Sequence, residues 1–541
     1  MKPGAILRSA VLAGALAGLA PLALAQKSDS FSTRDEVAGK VVAILSAEDR
    51  LPLPLQRVRK ALTKHYVDNS GRLFWVGSPR MDQLIAHVSR AERDGLFTHD
   101  YPVNYLQSLK DSLQAGDSFT EAYTELAFSA FFLRYASDLK IGRFVPRKID
   151  PELFVSRKKI DFAPVLAKLA EYASVQDFFR IWEPQNAEYR TLRNALRRYQ
   201  RISARGGWAP VDPGETLKVG MRDPRVAQVR ARLQATGEIT QRSNDPDLYD
   251  EGLAIAVRQF QAEHGLDSDG VIGKQTIFTM NISAEERVRQ IMVNMERWRW
   301  LPENLGDRYI LVNVAAFELR RVEYGSLQDV IRVVVGKPGH RTPVFSNKIK
   351  YLELNPTWTV PYSIATKEFL PKLQSNPYHL GDSYELLQGG QSVPFGSVDF
   401  ASYTRNTFPY TIRQRPGPKN ALGRVKFIFP NKHAIYLHDT PARSLFGRTK
   451  RAFSHGCIRV GEPLELARQL LQNAPGKWSM RKIRAVVDSR KQTRVNLPEP
   501  LPVHLTYSTV FRGTNGALNF RPDVYGRDKK LYRALFAKHT S

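Results

Sequence analysis

The one cysteine of the chain, Cys457, lies in Ser454-His455-Gly456-Cys457, a polar stretch that contains a glycine. A cysteine that merely fills space in a core wants apolar neighbours, and this one has few. A thiol becomes a strong nucleophile when a nearby base or cation favours the thiolate, the ordinary thiol pKa being about 8.5. Two histidines could supply the base. His455 stands two residues before Cys457, and in an extended segment positions i and i+2 share a face, although it could equally shape the turn. His438 ends a β-rich run from Ala434 and would face the thiol across a sheet. Gly456 lets backbone approach a substrate oxygen closely. The N–H groups of Gly456 and Cys457 are the candidate oxyanion donors. On residue types alone two other readings stay open: a core histidine beside an inert thiol, and a zinc site of His438, His455 and Cys457. Zinc would need a fourth ligand or an open water position. Asp439 is adjacent, but neighbours on a strand point to opposite faces.

These residues sit in the β-rich part of the chain. Tyr309 to Val314, Val330 to Val335 and Tyr351 to Leu354 read as strands bounded by Gly, Pro and Asn. Val425 to Phe429 and Ala434 to His438 flank Pro430-Asn431-Lys432-His433 and read as a hairpin. Helical spacing returns at Leu464 to Gln472 and Ser479 to Val487, and strand character at Val503 to Tyr507. A long insertion, 363–423, interrupts the alternation beside the hairpin, where it could act as a lid. Upstream, 26–210 reads as a mainly helical scaffold; Leu126, Ala130 and Leu133 recur at helical spacing. Residues 215–283 form a compact unit with Val226, Val229 and Leu233 on one helix and Leu253, Val257 and Phe260 on the next, ending at Gly265.

At 541 residues, with 42% hydrophobic and 25% charged side chains, the chain is globular and multidomain. Its net charge of +27 attracts polyanions, whether nucleic acid or a carboxylate-rich envelope. The amino terminus decides between them. Lys2 and Arg8 precede an apolar run from Ala10 to Ala25 that closes with Ala23-Leu24-Ala25 before Gln26. That is the layout of a secretory signal peptide over 1–25. The run is shorter than the roughly 20 residues of a spanning helix, the competing reading. No later segment is apolar for long enough to span, so nucleic acid is not the expected partner.

The string IYLHDTPARSLFGRTKRAFSHGCIRV resembles the signature of the L,D-transpeptidase catalytic domain: a His, a spacer, then Ser/Thr-His-Gly-Cys and an apolar residue. His438, Ser454 to Cys457 and Ile458 match it, and Arg459 stands where many members carry Asn. Thr342-Pro343, Asn355 to Pro361 and the late FRPDVYGRD (520–528) agree as well. The string YDEGLAIAVRQFQAEHGLDSDGVIGKQT is similar to the three-helix peptidoglycan-binding module of wall enzymes. Together the arrangement resembles the large periplasmic L,D-transpeptidases of Gram-negative bacteria.

The resemblance implies a multidomain α+β protein: helical scaffold, peptidoglycan-binding module (215–283), β-rich catalytic domain (305–490) with a capping insertion (363–423), and carboxy-terminal strands and tail (491–541). It implies a periplasmic enzyme whose partner is peptidoglycan, joined by other wall-synthesis enzymes, with no metal or organic cofactor. Cys457 would be the nucleophile, His438 the general acid/base held by a backbone carbonyl, and His455 and Gly456 the oxyanion turn. Tyr436, Arg459 and Trp358 are candidates for holding substrate. The expected reaction is 3→3 cross-linking of stem peptides through a cysteinyl thioester. Water as acceptor would make a carboxypeptidase or endopeptidase, and a lipoprotein lysine an anchoring enzyme. A non-catalytic wall-binding protein is the reading from another class. Export predicts Gln26 as the mature amino terminus; sequencing of the exported protein checks this, and recovery of Met1 in a membrane pellet favours the anchor.

Overall fold

The computed structural model describes residues 34–46, 53–69, 71–239 and 243–537. The signal peptide expected over 1–25 lies outside the described residues. No helix among those described is long and apolar enough to cross a membrane.

The catalytic region is built on strands β1 (Arg308–Asn313), β2 (Glu318–Glu323), β3 (Ser326–Gly336) and β4 (Phe345–Leu354). Next come β5 (Trp358–Thr359), β6 (Tyr384–Gln388), β7 (Gln391–Val393) and β8 (Thr411–Gln414). Then follow β9 (Val425–Ile428), β10 (Leu437–His438), β11 (Ala452–Ser454), β12 (Ile458–Val460) and β13 (Thr493–Thr506). The nine-stranded sheet runs β11-β3-β12-β10-β9-β4-β13-β1-β2, and β2 also pairs with β3. That last pairing closes the sheet on itself and leaves β2 no free edge. The inward positions of these strands, among them Val312, Val333, Leu352, Phe427, Leu437, Ile458 and Val503, share one core.

Two expected boundaries move. β13 is not part of a separate tail, because it lies inside the sheet, parallel to β1 and antiparallel to β4. Its register shifts between Asn496 and Leu501, around Pro498 and Pro500. Its last residues are the strand expected at Val503 to Tyr507; proline has no N–H for a ladder, so the earlier part bulges where the prolines fall. The cap starts earlier than 363, since β5 pairs with β8 in a four-stranded sheet β5-β8-β6-β7. Val360, Leu370, Leu386, Phe400 and Ile412 give the cap a core of its own.

The helical region holds a separate core around the helix Ser118–Ile141, which is buried on nearly every side and N-capped by Asp117. The helix Ala187–Ala204 departs from this body. Its Tyr189, Leu192, Leu196 and Tyr199 belong to the catalytic core, through the helix Ala284–Trp300. The module at 215–283 has the expected helices Pro224–Thr236, Glu251–His264 and Lys274–Met280 around Val226, Leu233, Val257 and Phe260. Asp223 and Asp250 cap the first two, and Gly237 and Gly265 end them in the left-handed region.

A segment after the scaffold core crosses to the catalytic sheet. Phe154 N–H donates to Val344 O at 2.8 Å and Val344 N–H to Glu152 O at 3.1 Å. Beside this bridge Arg527, 1% exposed, donates to Glu152 at 3.0 Å and to Thr342 O at 3.2 Å, with Asp150 also at hand. Arg527→Ala leaves buried acceptors unsatisfied, and an ion pair broken this way costs about 3–5 kcal/mol. A urea midpoint well below wild type is expected, and Arg527→Lys should recover little of it, since an ammonium cannot fork to both acceptors.

Candidate active site

β9 and β10 form the expected hairpin, with Leu437 opposite Phe427 and His438 opposite Lys426. Its loop is held by Asn431, whose amide donates to Phe429 O and Ile435 O at 2.7 and 2.8 Å. β10 then pairs in parallel with β12, Leu437 with Ile458 and His438 with Arg459. Ile458 N–H donates to Tyr436 O at 2.9 Å, which continues that register back to Tyr436 and Cys457. Paired residues share a face and neighbours alternate. Leu437 and Ile458 therefore enter the core, while Tyr436, Cys457, His438, Arg459 and Lys426 lie together on the other face.

His438 is 4% exposed, and its Nδ1 meets its neighbour's carbonyl, Asp439 O, at 2.5 Å. That contact makes Nδ1 the donor and leaves the lone pair on Nε2. Burial, with the charge of Arg459 second, pushes the imidazole down to about 4, so it is neutral near pH 7. The Asp439 carboxylate turns away to accept from Arg424 N–H and Nε, both at 2.9 Å. Cys457 keeps partial exposure. Burial pushes its thiol up, against the opposing influence of the Tyr436 backbone N–H, Lys426 and Arg459.

The turn before Cys457 differs from the extended segment the spacing suggested. Gly456 adopts φ +118°, a conformation side chains avoid, and this breaks the i, i+2 relation. His455 is held toward the cap. Its Nε2 pairs with Glu368 of the cap at 2.9 Å and its ring meets His340 at 4.7 Å. Gly456 N–H is also committed, donating to Ser454 Oγ at 3.1 Å, so it is not an open oxyanion donor here. Ser454 Oγ in turn donates to Cys457 O at 2.6 Å, and Thr342 Oγ1 to Gly456 O at 2.8 Å. Thr342 is fully buried and takes a bond from Gly336 N–H at 3.0 Å. Its own N–H donates to Tyr525 OH at 3.3 Å, so the carboxy-terminal segment braces the turn.

Trp358 does not join the row beside Cys457. It packs half-buried on the cap core, edge-on to Phe369 at 6.2 Å. Lys426 and Glu368 are the neighbours that sequence reasoning passed over, while Thr342 and Ser454 entered it only as parts of matched motifs. Lys426 had a signal: it alternates with the core residues Val425 and Phe427, so the hairpin register alone puts it beside His438. Glu368 comes from the cap and had none.

Residues 307–495 match the family model described as "L,D-transpeptidase catalytic domain". This part of the chain is similar to that family's catalytic domain. Residues 222–280 match a "Putative peptidoglycan binding domain" and 60–196 a "Scaffold domain". A Haemophilus influenzae protein named "Putative L,D-transpeptidase" is 36% identical over 252 residues, which is 46% of this chain. The match spans about half, 50%, of that relative's length. Among solved structures, an L,D-transpeptidase from Xylanimonas cellulosilytica is 14% identical over 55% of this chain and 99% of its own, with a TM-score of 0.18. An L,D-transpeptidase from Mycobacterium smegmatis is 12% identical over 37% and 58%, with a TM-score of 0.17.

The depressed pKa of His438 makes a stability prediction for this catalytic domain. The unfolded chain protonates His438 below about 6.5 and the folded chain only near 4. The stability that this residue contributes is thus present above pH 6.5 and is lost as pH falls toward 4. In denaturant titrations wild type should lose a few kcal/mol more than His438→Gln across that window, at about 1.4 kcal/mol per unit. Parallel pH curves for the two proteins would contradict a buried neutral imidazole.

Proposed function

We propose that this chain is an exported, periplasmic L,D-transpeptidase that makes 3→3 cross-links between peptidoglycan stem peptides through a thioester on Cys457. The observation that supports this reading is the strand register that sets Cys457 on the same sheet face as His438, a buried imidazole whose Nδ1 is tied to a backbone carbonyl. Such a base needs no acidic third member, because the carbonyl already sets tautomer and ring orientation.

The donor is a stem tetrapeptide. Cys457 Sγ attacks the carbonyl of its third residue, at the L-centre of diaminopimelate, while His438 Nε2 takes the thiol proton. The C–N bond to the terminal D-Ala then breaks, and the leaving amine takes that proton from His438. A thioester remains. The side-chain amine of a neighbouring diaminopimelate attacks it, forms the cross-linking amide and returns the proton to the sulfur through His438. The Cys457 N–H, which meets no protein acceptor among the described residues, suits the developing oxyanion better than the committed Gly456 N–H. Tyr436 and Arg459 flank the sulfur as groups for the substrate, and Trp358 serves the cap.

The cap favours an amine over water as acceptor. Its Glu368 meets His455 one residue from the Gly456 turn, so the nucleophile works beneath a lid that limits solvent. The peptidoglycan-binding module supports peptidoglycan as the partner, and the net charge of +27 suits a substrate with several carboxylates. With purified disaccharide-tetrapeptide, mass spectrometry should find 3→3 dimers and released D-Ala, and none from Cys457→Ala. A carbapenem, whose strained carbonyl imitates the substrate, should add once per chain at Cys457. His438→Ala should slow that acylation about 10²–10⁴-fold. Wild type that forms neither dimer nor adduct would overturn the reading.

A further inference from the structure

A neutral imidazole that titrates near 4 is a weak acceptor for a thiol proton, so the sulfur needs its charge stabilised from elsewhere. The row on the face of Cys457 holds two cations. Lys426 on β9 lies opposite His438 on one side and Glu353 on the other. Arg459 on β12 completes the row, with its Nε buried and without an acceptor. Lys426 Nζ stands 3.9 Å from the centre of the Tyr436 ring, and Tyr436 is the residue in register with Cys457. Among the described residues no carboxylate ion-pairs with Lys426, although Glu353 is its cross-strand neighbour. An ammonium left this way over an aromatic face, half-buried and with no anion of its own, is oriented rather than neutralised. Its charge acts on the sulfur and the sulfur's on it.

We propose that Lys426 is a positioning residue that stabilises negative charge on Cys457 Sγ, so that the thiol proton can pass to a neutral His438. It acts through the sulfur and need not touch substrate. Glu353, one strand further out, offsets part of its charge. The other titratable groups near the sulfur are His438, Tyr436 and Tyr351 on the same sheet, with His340 and His455 on the turn side.

The inference rests on Cys457 as nucleophile, but its test does not need the transpeptidase reaction. Because the chain has one cysteine, alkylation by iodoacetamide reports that thiol alone. In the full chain, Lys426→Met should raise the pH midpoint of alkylation by about one unit, the effect of losing an opposite charge nearby, and slow the reaction about tenfold below it. Lys426→Arg should restore the midpoint, and Glu353→Gln should lower it. A midpoint unmoved in Lys426→Met, or moved equally in Lys426→Arg, overturns the proposal. Should Lys426→Met fail to fold, Glu353→Gln decides: a lower midpoint supports the proposal and an unchanged one overturns it. A thiol that shifts as expected in a chain that makes no cross-links would sink the proposed function and leave this inference standing.

Discussion

A buried imidazole must place its N–H on an acceptor inside the protein, and His438 finds one in the carbonyl of its own neighbour. Much of the site follows from that bond. It fixes which ring nitrogen keeps a lone pair, and it spares the Asp439 carboxylate for Arg424 and Arg443. It also requires β10 to end where it does, since the carbonyl that receives the ring would otherwise belong to the ladder. Burial then holds the ring neutral, which suits a base in a site that handles a thiol, but it withdraws the imidazolium as a counter-charge.

The closed sheet answers that electrostatic problem. By pairing β10 with both β9 and β12, it sets His438 between Lys426 and Arg459 on one face, while the alternate residues fill the core. A one-residue slip in either pairing would send the imidazole into the core and Leu437 to the outside. Core packing and chemistry are therefore specified by the same register. β13 is a distant condition of it: its long passage between β4 and β1 completes the ring, and its proline bulge lets the strand bend to do so.

The turn carrying Cys457 depends on longer connections. Gly456 is held in its left-handed conformation by Ser454 on one side and Thr342 on the other. Thr342 is itself pinned by Tyr525 and Arg527, and Arg527 reaches Glu152 beyond the scaffold core. The helical region thus contributes to the placement of Cys457 without lining the site. The cap touches the same turn from outside through Glu368 and His455, an exposed contact that can break at modest cost.

The sequence by itself determined the chemistry on offer. One cysteine in a glycine turn, a histidine ending a strand and their spacing pointed to a nucleophile and its base, and helix caps with periodic apolar residues placed the peptidoglycan module. Strand alternation also made the Lys426 face readable, because side-chain period is local geometry. Only the tertiary structure decided where each histidine is anchored, His438 on its neighbour's carbonyl and His455 on the cap. The i, i+2 argument for His455 assumed an extended backbone, and a positive φ at Gly456, stabilised in part by a residue more than a hundred positions away, removed that assumption. The same holds for the first part of β13, before Val503, whose prolines argue against a strand locally while its neighbours in the sheet impose one. Local propensity and spacing fix what a residue can do; long-range hydrogen bonds and burial select which of those possibilities the folded chain keeps.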